Sequence, residues 1–295
     1  MTLKLNLNGS AEPFINYLKN YLRIRESLLL EIDTDLRAFV AKTFTEDHAS
    51  IRFASLTFDD AHITVVEDND SASRNGQRIK VGVLIKLKKL IQIVERFGSD
   101  ANEKGESNFD IVVEYGPMER KDEKTNQNYT DFVATEISFK SSILKMKMDG
   151  FRITEFAYLS DEAFINNVFT VNNPVTVPVT GASIASIVKT SDIIKIDPRK
   201  DALVFYNDNN MLYVKDQAEG LGKQPNFVYL IGQLDHAVEE PFSVPISRER
   251  FIKMLDKCDE NFNIIIGLYG GIMDRILFDS TTNSTKIVVS AMRNC

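Results

Sequence analysis

Lysine and arginine in this 295-residue chain fall where they could meet phosphate. Lys19, Arg23, Lys86, Lys89, Arg96, Lys189, Arg250, Lys253 and Lys257 all sit in stretches with helical apolar periodicity, on the side away from the apolar residues. Fixed cations on a helical surface bind a polyanion without reading its sequence. The bland alternative stays open, since any amphipathic helix exposes Lys and Arg to water.

Other candidate chemistry is thin. His48, His62 and His236 lie far apart without metal-ligand spacing. "EGLGKQ" (219–224) resembles a phosphate loop, but Gln217 stands where the first glycine is required and Gln224 where Ser or Thr would hold magnesium. The segment reads as a loop. The adjacent acid pairs Asp59/Asp60, Asp161/Glu162 and Glu239/Glu240 read as solvated turns. Cys258 and Cys295 form neither a disulfide framework nor a zinc cluster. No catalytic constellation, metal site or cofactor is expected, and the chain is not read as an enzyme.

Four helices must position the cations: 11–25, 86–97, 181–196 and 247–258. Phe14, Tyr17, Leu18, Tyr21 and Leu22 share one face of the first, and Leu87, Leu90, Ile91 and Val94 one face of the second. Ile184, Ile187 and Val188 mark the third; Phe251, Met254, Leu255 and Cys258 the fourth, with Ser247 as its N-cap after Pro245. These helices hold thirteen Lys plus Arg against five Asp plus Glu, a surplus of eight, although the whole chain is at −7. The basic surplus is therefore confined to helices on an acidic shell.

The sequence is also written twice. "NFDIVVEYG" (108–116) returns as "NFNIIIGLYG" (261–270), each preceded by a matching segment, "VLIKLKKLIQIVERFG" (83–98) and "VPISRERFIKMLDKC" (244–258). Each half follows one plan of helix, antiparallel strands, helix, antiparallel strands, which predicts an α+β duplication. The expected division is an N-terminal domain at 1–165, an extended connector at 166–180 and a C-terminal domain at 181–295. The polar stretches 67–78 and 117–130 read as long surface loops.

Composition is that of a soluble globular chain, 43% apolar and 26% charged. The longest apolar run, 264–273, is too short for a membrane span, and "MTLKLNLNGS" lacks the apolar core of a signal peptide. A cytoplasmic location, the host cytoplasm for a viral protein, is expected.

Tandem helix-sheet-helix-sheet domains, cationic helices, an extended connector and a terminal "KIVVSAMRN" strand together resemble DNA polymerase sliding clamps, the ring-shaped processivity factors of the two-domain phage T4 and PCNA types. That resemblance implies a non-catalytic DNA-clamp fold whose helices line a hole and whose sheets form the outer wall. It implies a head-to-tail homotrimer around double-stranded DNA, with the nine cations facing phosphates. It also implies that the DNA polymerase and clamp loader dock short apolar peptides beside the connector and the C-terminal strand, at Val175, Val177, Pro178, Ala291 and Met292. Alternating valines are equally ordinary strand packing. The competing functions are a structural or viral assembly protein built from duplicated β-rich domains, and a non-ring processivity subunit with the same fold.

Overall fold

The computed structural model describes residues 1–83, 87–99, 106–121, 126, 128–149, 159, 162–193, 201–216, 225, 227–238, 241–256, 258, 260–267 and 275–292. In chain order the elements are β1 (Thr2–Gly9), α1 (Glu12–Lys19), β2 (Leu28–Asp33), β3 (Ala38–Phe44), β4 (Ser50–Thr57), β5 (Ile63–Asp68), α2 (Ser71–Arg74), β6 (Ile79–Val83), α3 (Leu87–Gly98), β7 (Ser107–Lys121), β8 (Asn128–Lys140) and β9 (Lys145–Asp149). There follow α4 (Glu162–Phe169), β10 (Pro174–Val179), α5 (Gly181–Ile193), β11 (Ala202–Asp208), β12 (Met211–Asp216), β13 (Val228–Gln233), β14 (Ser243–Ser247), α6 (Arg248–Leu255), β15 (Phe262–Gly267), β16 (Arg275–Ser280) and β17 (Lys286–Ser290). The duplication is α+β, and each half repeats again. Strand, helix and three strands recur as β1-α1-β2-β3-β4, β6-α3-β7-β8-β9, β10-α5-β11-β12-β13 and β14-α6-β15-β16-β17.

Two compact units result. One holds Met1–Thr43 and Ser55–Asp161; the other holds Phe44–Ala54 and Glu162–Cys295. The second unit therefore includes eleven residues from early in the chain. Residues 166–169 are helical, as part of α4, and the strand that follows them begins at Pro174.

In the first unit the sheet runs β3-β2-β6-β8-β7-β1-β5, with β9 on a further edge of β8. Pairing is antiparallel apart from a short parallel stretch of β6 on β8. The helices α1 and α3 lie side by side on it. Phe14 stacks on Phe39 at 4.7 Å, and the Tyr17 and Tyr21 hydroxyls donate to the carbonyls of Phe39 and Ala41. Phe97 of α3 packs on Phe109 and Phe139 of β7 and β8, at 5.2 and 6.0 Å. Such ring pairs add about 0.5–1.5 kcal/mol each beyond burial.

Ile32 pairs with Phe39, so Leu28, Leu30 and Ile32 face the helices while Glu31 and Asp33 face the other way. There a buried ionic ladder crosses the strands. Glu31 meets Lys42 at 2.9 Å and Arg78 at 3.3 Å, Asp33 meets Arg78 at 2.8 Å, and Asp131 meets Lys80 and Arg120. Burial pushes the Lys42 ammonium below its ordinary pKa, with Glu31 opposing the shift.

The second unit has two sheets, β10-β15-β16-β17-β4 and β13-β12-β11-β14. Lys286–Val289 of β17 pair with Phe53–Ser50 of β4. Phe251 of α6 lies 6.0 Å from both Phe205 and Phe278, joining the helix to a strand of each sheet. The hairpin between β11 and β12 turns on Asn209 and Asn210, both left-handed at φ 46° and 63°, as a tight two-residue turn requires.

Several expectations need correction. Residues 117–121 and 128–130 are strand, a polar β-ribbon closed by cross-strand bonds such as Thr130 Oγ1 to Glu119. Residues 67–78 are tied down rather than looping: β5 reaches Asp68, α2 follows, and Arg74 is buried against Asp68, Thr34 and Tyr115. The first helix is α-helical only to Lys19; beyond it the chain tightens into turns such as Leu22 N–H to the Lys19 carbonyl and Ile24 N–H to that of Tyr21. The fourth helix stops at Leu255, and the third is helical through Ile193, with 194–196 outside the described residues. Ser247 does cap the fourth, its hydroxyl accepting from the Arg250 N–H. The segment 219–224 lies outside the described residues.

Candidate nucleic-acid interface

In each unit two helices are neighbours with their outer faces in solvent. Gly98 permits the close approach of α3 to α1, because a Cβ there would stand 3.1 Å from the Cβ of Ala11. At the other end of the contact Lys19 reaches Glu95 at 2.6 Å. In the second unit Arg248, buried at the start of α6, donates to the Ser191 carbonyl in the last turn of α5. Near the end of α6, Arg52 of β4 donates to the Met254 carbonyl at 3.1 Å, a favourable place for a cation. These buried arginines hold helices in place and do not face solvent.

Burial follows the apolar stripes. On α3, Leu87, Leu90, Ile91, Ile93, Val94 and Phe97 are buried, leaving Lys88, Lys89, Gln92 and Arg96 exposed. On α5, Ile184, Ile187, Val188 and Ser191 are buried, and Ala182, Ser186, Lys189 and Asp192 face out. Lys88 belongs to the same face as Lys89; the 3.6-residue period would have included it.

The expected cations fall into distinct environments. Lys89 and Lys189 are exposed, with no ion pair among the described residues. Arg23 is exposed just beyond α1, and Arg96 is exposed with Nη1 on the Ser99 hydroxyl. Lys19 is paired with Glu95, and Lys253 with Glu249 at 2.7 Å. Arg250 sits on Asp47, with Nε at 2.7 Å and Nη2 at 2.5 Å. Partial burial pushes the Asp47 carboxyl up, but the Thr45 hydroxyl, the Ala49 N–H and Arg250 outweigh it and hold the carboxyl below its usual range. Lys86 and Lys257 lie outside the described residues.

Within the helix boundaries observed, Lys plus Arg number eight and Asp plus Glu four. The basic surplus among the described helical residues is thus smaller than on the expected boundaries, because Arg23 and Arg25 fall beyond the end of α1 and Lys86, Lys195 and Lys257 lie outside the described residues. Sequence reasoning missed the carboxylates that meet these cations, and for Lys19 and Arg250 no local pattern joins the partners. The arrangement suits weak, salt-sensitive contact with a phosphate backbone.

The residues expected to hold a partner peptide separate into two groups. Val175 and Val177 are buried, opposite Ile266 and Ile264 of β15, while Pro178 is exposed. Ala291 bridges to Ile246 and the Met292 N–H donates to the Pro245 carbonyl, both residues half-buried against β14. In sheet order β15 and β16 stand between β10 and β17, so the two groups are not strand neighbours.

The strand edges differ in how open they are. Thr176 exchanges backbone contacts with Asp235, its carbonyl accepting the Asp235 N–H and its own N–H donating to the Asp235 carboxylate at 2.9 Å. By strand alternation, Pro174 and Pro178 point to that same side and have no N–H to offer, so the outer edge of β10 is closed. Residues 291–292 cover β14. The register of β5 on β1 shifts at Lys4/Leu5, which blunts that edge. Among the described strands β13 pairs only with β12, and β9 only with β8. Val228 and Leu230 of β13 are half exposed.

Among the described residues no group of three or more His, Cys, Asp or Glu is placed to hold a metal, and no helix is long and apolar enough to cross a membrane. No family model matches the chain, and no curated protein matches it. Solved structures do. Over 98% of this chain and 100% of the other, it is similar to PCNA from Thermococcus kodakaraensis, with a TM-score of 0.58 at 10% identity. Over 99% and 98% it is similar to A. fulgidus PCNA, solved with the C-terminal region of FEN-1 bound, at TM-score 0.56 and 9% identity. Over 99% of each chain it is similar to the PCNA2–PCNA3 complex of Sulfolobus tokodaii, at 0.53 and 9%.

Proposed function

We propose that this chain, which has the PCNA sliding-clamp fold, is a non-catalytic clamp that encircles duplex DNA and tethers a replicative polymerase to it. The observation that carries the proposal is the fourfold strand-helix-three-strand repeat. Its helices are paired in each unit with Lys88, Lys89, Arg96 and Lys189 on their outer faces. Lys19, Arg23 and Lys253 join them, and their contacts with phosphate are sequence-independent. Encirclement supplies retention, so weak contacts suffice and permit sliding.

The fold also suggests how a ring closes. Within the second unit β17, the last strand of the fourth repeat, pairs with β4, the last strand of the first. Among the described strands, β9 and β13, the last of the second and third repeats, have one partner each, β8 and β12. Pairing β13 of one chain with β9 of the next is a head-to-tail association, which closes when the rotation fits. With two units per chain, the six-domain ring of the sliding-clamp resemblance makes this a homotrimer.

Partner proteins, the polymerase and a clamp loader, dock short apolar peptides beside Ala291 and Met292 and beside Pro178, two places that β15 and β16 separate in sheet order, with Val175 and Val177 as packed support of the second. The bound FEN-1 segment on the A. fulgidus protein supports a peptide mode of this kind.

A bead-tethered linear duplex tests the proposal. Protein is threaded over the free end, the end is then capped, and the beads are washed in high salt. Retention is expected on capped duplex and loss on uncapped duplex. Equal loss from both refutes encirclement and leaves a non-ring DNA-binding subunit.

A further inference from the structure

We propose that Glu95 and Glu249 act as built-in phosphate surrogates that occupy Lys19 and Lys253 when DNA is absent, and so set how tightly the helices grip. The proposal rests on the DNA-binding function above and deepens it. Both pairs lie on the helices themselves. Lys19 and Glu95 are 41% and 42% exposed, and Lys253 and Glu249 are 39% and 70% exposed. Ion pairs so open to water exchange readily with other anions and weaken in salt. A duplex presents a phosphate charge about every 1.7 Å along its axis, so it can replace each carboxylate in turn.

Asp47 differs in kind. One of its oxygens takes both Arg250 nitrogens, and the other accepts from the Thr45 hydroxyl at 2.6 Å and the Ala49 N–H at 3.1 Å. Every strong acceptor direction of that carboxylate is engaged, and Arg250 is only 24% exposed. Arg250 is therefore a strap from α6 to the 44–54 segment rather than a phosphate ligand. The helices carry a graded set: Lys89 and Lys189 available at once, Lys19 and Lys253 available on exchange, and Arg250 withheld.

Surrogates of this type lower affinity without altering shape. A clamp benefits, because a grip as strong as its cations could supply would resist sliding. Substituting Gln for Glu keeps the side-chain volume and removes the competing charge.

The test is the salt dependence of binding to a short blunt duplex, measured on the full chain. Glu95→Gln with Glu249→Gln is expected to steepen the log–log salt slope by up to about 1.8, about 0.9 for each cation released. A fourfold dilution of salt then strengthens binding roughly twelvefold more in the variant than in the wild type. Arg250→Gln is expected to leave the slope unchanged. Lys89→Glu with Lys189→Glu is the reference, expected to weaken binding and flatten the slope. If the reference variant weakens binding while the Gln variant keeps the wild-type slope, the surrogate proposal is overturned and DNA binding stands. A slope lowered by about 0.9 in Arg250→Gln overturns the strap assignment. Should the reference variant bind as the wild type does, the DNA-binding function itself fails and the surrogates fail with it.

Discussion

Val228→Ala combined with Leu230→Ala probes ring closure at the edge where it is proposed to occur. In the single chain these side chains are 51% and 49% exposed, so truncating them removes little from the fold of β13. A strand laid against that edge brings its same-face side chains to within about 5 Å of them, and each such pair is worth up to about 1 kcal/mol relative to alanine. The double variant then weakens each interface by up to about 2 kcal/mol, or up to roughly thirtyfold in its association constant. In a three-membered ring all three interfaces carry the loss. Sedimentation velocity over a protein dilution series is the assay. The variant is expected to dissociate at concentrations where the wild type stays assembled, with an unchanged thermal midpoint for the dissociated chain. An oligomer distribution identical to the wild type refutes the edge assignment, as does a wild type that is monomeric at every concentration.

Gly232→Ala places a Cβ 2.9 Å from Val177 Cγ1, and overpacking of this kind should cost about 1–3 kcal/mol in urea unfolding. Glu31→Leu leaves Lys42 buried without its carboxylate and should cost about 3–5 kcal/mol, while adding Lys42→Leu should restore most of it. Asp47 has a folded-state pKa below its unfolded one, so its contribution is fully present above the unfolded value and is lost as pH falls through the folded one. The stability gap between wild type and Asp47→Asn, measured by urea unfolding, should therefore be steady near neutrality and close in acid.

What the sequence disclosed was mostly local. The apolar faces of the helices were legible because a 3.6-residue period needs only one helix to declare itself, and Ser247 was legible as a cap because its acceptor serves the N–H three residues on. The repeated strand was legible because β7 and β15 meet the same demand, alternation beneath a helix. The ribbon at 117–121 and 128–130 was not, since its apolar residues Met118 and Tyr129 are exposed among polar neighbours and no apolar alternation marks it as strand. The carboxylates on Lys19 and Arg250 were hidden for a different reason. Glu95 and Asp47 are remote in sequence from the cations they meet, and only the fold brings them together. Lys253 and Glu249 are four residues apart, a spacing that helical geometry alone pairs.

The eleven residues 44–54 bear on how the protein is made. Their strand in the second unit pairs with residues 286–289, so a segment synthesised early waits for one synthesised more than two hundred residues later. Until β17 arrives, the β4 edge stands open, with Ile51 and Arg52 short of the neighbours that bury them. Contacts so distant in sequence form slowly, and an unpaired edge invites the wrong partner. The second unit thus closes only once residues 286–289 have left the ribosome, and the interval before that is when misassembly is most open to it.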